Sequence, residues 1–173
     1  PNYAFRGFQG RIEAGAVCAG DEIKVLPSGE QAKVTSILLS DKDVTEAKKG
    51  SPVTVQLDRE VDVSRGCVLT KEAGLQIGNM FTATILWMDD VPLVQGKNFM
   101  IKVGTKMISA MVMNLKHKID VNTGEQIAVS KLYKNELAEC DLVTAADIVY
   151  DTFELHRSLG CFILIYRVSN MTS

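Results

Sequence analysis

Residues 6–15 read RGFQGRIEAG and place three glycines around one short strand-like segment. A further glycine, Gly20, opens the next such segment five residues on. Because glycine has no side chain, it permits tight corners and close approach of neighbouring backbones. The spacing therefore predicts a strand with glycine corners, as found in a small β-barrel.

The alternation of polar and apolar residues that is typical of strands continues along most of the chain. Residues 22–26 and 31–37 alternate on either side of a PSGE turn, which predicts a hairpin. Residues 52–57 predict another half-buried strand. Two short segments, 44–49 and 153–159, look helical but are too short to form much of a core. Many short strands with glycine-containing turns favour sandwiches or closed barrels.

One segment, KEAGLQIGN at 71–79, has mixed polarity and no clear hydrophobic period, and it separates two series of predicted strands. We therefore predict an all-β protein of two consecutive β-barrels. The first barrel is expected over residues 1–74, a linker over 75–79 and the second barrel over 80–173.

Composition excludes several classes of protein. The chain has 173 residues, 46% of them apolar and 23% charged, which are values of a folded globular protein rather than a disordered one. A formal net charge of −2 gives no general attraction to nucleic acid or anionic lipid. No apolar run approaches the roughly 20 residues that a membrane span needs. The first residues, PNYAFR, lack the features of a signal peptide and an initiator Met, so we expect a cytoplasmic protein and a longer gene product.

The cysteines and histidines do not predict a metal site. No two cysteines form a C-x-x-C pair, and the histidines are not spaced as metal ligands. Each cysteine lies in an apolar segment, so we predict reduced thiols in the core of a cytosolic protein, with a disulfide or a zinc site as the weaker alternatives. The residues concerned are Cys18, Cys67, Cys140, Cys161, His117 and His156.

Motifs for nucleotide chemistry are absent from the sequence. A P-loop requires G-x-x-x-x-G-K-[ST], but Gly96-Lys97 is followed by Asn98 and no other segment fits. The base-reading N-K-x-D motif is also absent, and no constellation of nucleophile and base is evident. We predict no catalytic, cofactor-binding or metal-binding residue, and no GTP hydrolysis by this chain.

The glycine-rich segment at 6–15, followed by GDEIKVLPSG at 20–29, resembles the second domain of translation-type GTPases, the elongation factor Tu group. Five further segments are similar to the large, GTPase subunit of bacterial sulfate adenylyltransferase. They are LPSG at 26–29, DVSRG at 62–66, WM at 87–88 with PL at 92–93, DVNT at 120–123 and ILIYRVSNMT at 163–172. The resemblance covers residues 2–172. It departs at Tyr166, where the family usually has an acidic residue, and the Gly-rich strand expected to close the second barrel is either missing or supplied by another chain.

The resemblance implies a parent protein in which a GTP- and Mg²⁺-binding domain precedes the two barrels. In that family the large subunit pairs with a small catalytic adenylyltransferase subunit, and an adenylylsulfate kinase is fused after the barrels in some bacteria. Together the subunits convert ATP and sulfate to adenosine 5′-phosphosulfate and pyrophosphate, driven by GTP hydrolysis. This chain is then a non-catalytic part that couples the GTP state to the catalytic subunit.

Four basic residues are candidates for interdomain or partner contacts. Arg6 and Arg11 correspond to a segment that meets the GTPase domain in translation-type GTPases, although we favour the alternative that they are solvated arginines on a barrel strand. Lys116 and Lys118 flank His117 and form either a solvated face or a partner contact. The alternative function is that of barrels from another elongation factor that bind tRNA, but no aromatic residues are interleaved with the lysines to stack on bases.

Methionines are concentrated in the second half of the chain. Met107, Met111 and Met113 are spaced as one face of a strand. This spacing predicts methionines that fill the core, with an adaptable docking surface as the alternative.

Overall fold

The computed structural model describes residues 7–165. Within this range the chain forms sixteen β-strands and one short helix. The all-β prediction is confirmed. The first strands are β1 (Phe8–Arg11), β2 (Ala16–Cys18), β3 (Glu22–Leu26), β4 (Glu30–Leu39), β5 (Lys42–Val44), β6 (Glu46–Lys48), β7 (Pro52–Leu57) and β8 (Val68–Thr70).

The remaining elements are on average longer than the first eight strands. They are β9 (Gln76–Leu86), β10 (Leu93–Val94), β11 (Asn98–Val103), β12 (Lys106–Ile119), β13 (Gln126–Ile127), β14 (Lys131–Leu132), β15 (Leu137–Tyr150), α1 (Arg157–Gly160) and β16 (Phe162–Ile165).

The elements form two compact units. The first comprises the described residues up to Ile77 together with Val149–Cys161, and the second comprises Gly78–Ile148 together with the described residues from Phe162 onward. The boundary falls within β9, so residues 76–79 of the predicted linker belong to a strand.

A six-stranded antiparallel sheet organises the first unit, in the order β1-β7-β4-β3-β8 with β5 beside β4. The predicted hairpin is confirmed, since Glu22 on β3 lies opposite Lys33 on β4. Alternate residues of these strands point to one side, where Ile23, Val34 and Ile37 are buried. A separate ribbon pairs β2 with β6 and adds Ala47 to the core.

The second unit has a sheet in the order β16-β11-β12-β15-β9, with β13 beside β12. Phe99, Val112 and Leu142 lie at its centre, fully or almost fully buried. The ring of Trp87 packs edge-on against Phe99 at 5.8 Å, and its Nε1 donates a 2.8 Å hydrogen bond to the carbonyl oxygen of Val91.

Side chains from the two ends of this sheet also meet. Phe81 on β9 and Phe162 on β16 pack edge-on with ring centroids 5.8 Å apart. Because β9 and β16 are the first and last strands of the sheet order, this contact closes the sheet around its core.

The two helical predictions were largely wrong. Residues 44–49 contain β6 and the end of β5, because Ala47 is buried against β2 and the polar residues around it face solvent. In 153–159 only the residues from Arg157 onward are helical, and α1 is a single turn.

No helix among the described residues is long and apolar enough to cross a bilayer.

Candidate interaction surfaces

The predicted contact residues are divided between the two units. Arg6 lies outside the described residues. Arg11 is the last residue of β1, is exposed, and lies opposite Pro52 of β7. Lys116 and Lys118 lie near the end of β12 in the second unit, whereas Arg11 belongs to the first unit. The predicted contact residues therefore do not form one site within a single unit.

The basic segment at Lys116–Lys118 faces a row of acids on and beside β15. Lys116 Nζ lies 3.6 Å from Asp141 Oδ1, and His117 Nε2 lies 3.1 Å from Glu139 Oε2. Lys118 Nζ donates a 2.6 Å hydrogen bond to Glu136 Oε2. We call these six residues the charge ladder.

Hydrogen bonds within the charge ladder and from its neighbours favour the charged forms of Glu136, Lys118 and Asp141. The hydrogen bond from Lys118 lowers the pKa of Glu136, and the Tyr133 backbone N–H lowers it further. The same contact with Glu136 raises the pKa of Lys118. The hydroxyl of Thr82 is the main cause of the lowered pKa of Asp141, followed by the charge of Lys116.

His117 is the least satisfied member of the charge ladder. Its Nε2 is buried and, although close to Glu139, makes no hydrogen bond of good geometry. The three basic side chains thus each lie beside a carboxylate, and the segment is not a free basic patch. The charge ladder was not predicted from the sequence. The signal that could have indicated it is the group of three acids in the NELAECD segment at 135–141, which could pair with the basic segment.

The second histidine closes a turn between β15 and β16. His156 Nδ1 lies 2.6 Å from Asp151 Oδ2, and this contact, followed by the Thr152 N–H, lowers the pKa of Asp151. The Asp151 N–H donates to the carbonyl of Leu159 and the His156 N–H to that of Thr152. The contact between His156 and Asp151 therefore stabilises this turn, and that role explains it without a catalytic function.

The four cysteines are free, but their environments differ. Cys140 is buried in the second core, where burial raises the pKa of its thiol to about 12. Cys18 and Cys67 are half-buried, whereas Cys161 is exposed, so the prediction of a core thiol is wrong for Cys161. Between residues 7 and 165, no three side chains of His, Cys, Asp or Glu converge as metal ligands.

An open groove of about 520 Å³ lies on the first unit between β3, β4 and β8. Lysines and acids both line it, including Lys24, Glu22 and Asp58. Asp58 is already occupied, since its Oδ1 accepts a 2.8 Å hydrogen bond from the Lys33 N–H. Because both charge signs line the groove, it lacks the uniform charge that would select an anion or a cation.

The outward side of the second sheet carries three cross-strand rows, which we call the outer apolar face. The residue opposite Ile163 is Lys102, which in turn lies opposite Met107. The next rows join Ile165, Met100 and Ser109, then Asn98, Met111 and Val143. Their neighbours along the strands, such as Phe99, Ile101 and Phe162, point into the core.

The prediction that the methionines of β12 fill the core is therefore wrong. Met107 is 51% exposed and Met113 is 42% exposed, while Ala110 and Val112 are buried. Met113 lies at an irregularity where β12 shifts its register against β15.

Comparison with known proteins gives the family. Residues 80–173 match the family GTP-eEF1A C-terminal domain-like, and residues 9–70 match Elongation factor Tu domain 2. The bifunctional enzyme CysN/CysC of Xylella fastidiosa (strain Temecula1 / ATCC 700964) is 41% identical over 99% of this chain and 28% of its own length. Sulfate adenylyltransferase subunit 1 of Francisella tularensis subsp. tularensis (strain WY96-3418) is 37% identical over 100% of this chain and 37% of its own length. The chain thus spans roughly a third of these relatives.

Two solved structures of Sup35 have the same fold. The complex with GDP superposes with a TM-score of 0.84 at 21% identity, covering 94% of this chain and 43% of the other. The complex with GMPPNP gives a TM-score of 0.80 at 23% identity, covering 92% and 40%. These matches confirm the prediction of two consecutive β-barrels.

The match over residues 80–173 covers more than half of the chain, and the resemblance noted in the sequence agrees with the names of the relatives. This chain therefore belongs to the GTP-eEF1A C-terminal domain-like family, carries an elongation factor Tu domain 2 before that barrel, and resembles the sulfate adenylyltransferase large subunits over its whole length.

Proposed function

We propose that the chain is the non-catalytic two-barrel part of the GTP-dependent large subunit of a sulfate adenylyltransferase. The observation that carries the proposal is similarity along the whole chain to proteins named sulfate adenylyltransferase subunit 1. The parent enzyme would convert ATP and sulfate to adenosine 5′-phosphosulfate and pyrophosphate in the cytoplasm.

In this proposal the chain itself holds no nucleotide. It contains neither the P-loop nor the N-K-x-D motif, and GTP and Mg²⁺ would bind in a nucleotide domain of the parent. The nucleotides named in the two Sup35 structures are consistent with a GTP-binding parent, although those structures show only the fold.

The barrels would couple the GTP state to the small catalytic subunit. Rigid domains can transmit such a change by moving as bodies, without chemistry of their own. Arg6 and Arg11 are proposed to face the parent's GTPase domain, and Lys116 and Lys118 to border a partner contact or a fused adenylylsulfate kinase. Because Lys116 and Lys118 are already paired with acids, we expect them to orient a contact more than to attract an anion.

A tRNA-binding function has less support. Binding to a polyanion depends mainly on unpaired Lys and Arg side chains. The charge ladder pairs its lysines internally, and the formal net charge of the chain is −2.

Calorimetric titration tests the proposal in two parts. We expect no heat of binding when GTP with Mg²⁺ is added to the 173-residue chain, and saturable binding when the small catalytic subunit is added. The full-length large subunit, which should bind both, is the positive control. A chain that binds GTP, or one that ignores the small subunit while the full-length protein binds it, would contradict the proposal.

A further inference from the structure

We draw no further inference here: the strongest candidate, the surface patch of exposed Met88, Val91 and Tyr133 where the segment after β9 hydrogen-bonds the turn before β15, carries none, since Asp90 and Lys134 beside it already pair with each other and nothing among residues 7–165 shows what covers it.

Discussion

At the scale of single residues, Gly160 shows how closely the turn after β15 is packed. A Cβ atom added there would fall onto the backbone of Phe153 and within 2.6 Å of the carbonyl carbon of Thr152. Only glycine allows the α1 turn to lie against the Thr152–Phe153 peptide while the Gly160 N–H donates to the carbonyl of His156.

We therefore expect Gly160→Ala to lower the free energy of unfolding by about 1–3 kcal/mol, the usual cost of forcing an extra carbon into a packed site. Urea denaturation followed by circular dichroism measures the change. Gly10→Ala on β1 is the control, because an added Cβ there has no neighbour within 4 Å, and it should be nearly neutral. Equal effects of the two substitutions would mean that the close approach at Gly160 does not limit stability.

At the scale of elements, the pairing of β12 with β15 carries both the core and the charge ladder. Val112 and Leu142 face each other inside, while Glu139 faces His117 on the partner strand. Glu136 adds a second contact, since its Oε1 accepts the Tyr133 N–H at 2.7 Å beside the bond from Lys118. One carboxylate thus joins the end of β12 to the turn before β15.

This geometry predicts a pH dependence. The pKa of Glu136 is lowered in the folded state, so its contribution to stability is present above the unfolded value of about 4.3 and is lost as the pH falls through the folded pKa. Glu136→Gln should lower the urea midpoint at pH 7 by a few tenths of a molar, roughly the effect of one exposed ion pair. The difference from wild type should be smaller at pH 3 than at pH 7, because protonation of the wild-type carboxylate is favoured as the pH falls through its lowered pKa.

Glu125→Gln provides the control for this experiment, since Glu125 is exposed and its side chain has no hydrogen bond or ion pair among the described contacts. It should leave the midpoint nearly unchanged at both pH values. A Glu136→Gln deficit of the same size at pH 3 as at pH 7 would show that charge is not the cause.

The elements also show what the sequence could predict and what it could not. Alternation around the PSGE turn predicted the β3–β4 hairpin, because residues close in the chain determine it. Alternation also placed Met107 and Met111 on one face of β12. It could not predict which face of the strand meets the core, because that depends on how the sheet closes. Shifts of register between Val112 and Asn114 and between Leu115 and His117 then decide which acids the basic segment meets.

At the scale of the whole molecule, the charge ladder bears on whether the chain behaves as a polyanion binder. Its formal net charge is −2, and the basic segment Lys116–Lys118 lies against three carboxylates. Affinity for a polyanion follows the number of unpaired cations that can replace its counterions. The family fold alone therefore does not decide nucleic-acid binding, since local pairing of charges can remove it.

We expect the wild-type chain to pass through a heparin column at low salt without retention. The triple variant Glu136→Gln, Glu139→Gln and Asp141→Asn frees the basic segment and should be retained, then eluted by salt. A control with the same change in charge replaces exposed acids of the first unit, as Glu13→Gln, Asp43→Asn and Glu46→Gln, and should be retained less. If both triple variants elute at the same salt concentration, net charge alone governs retention; if the wild type is itself retained, the charge ladder does not neutralise the segment and the tRNA-binding alternative regains support.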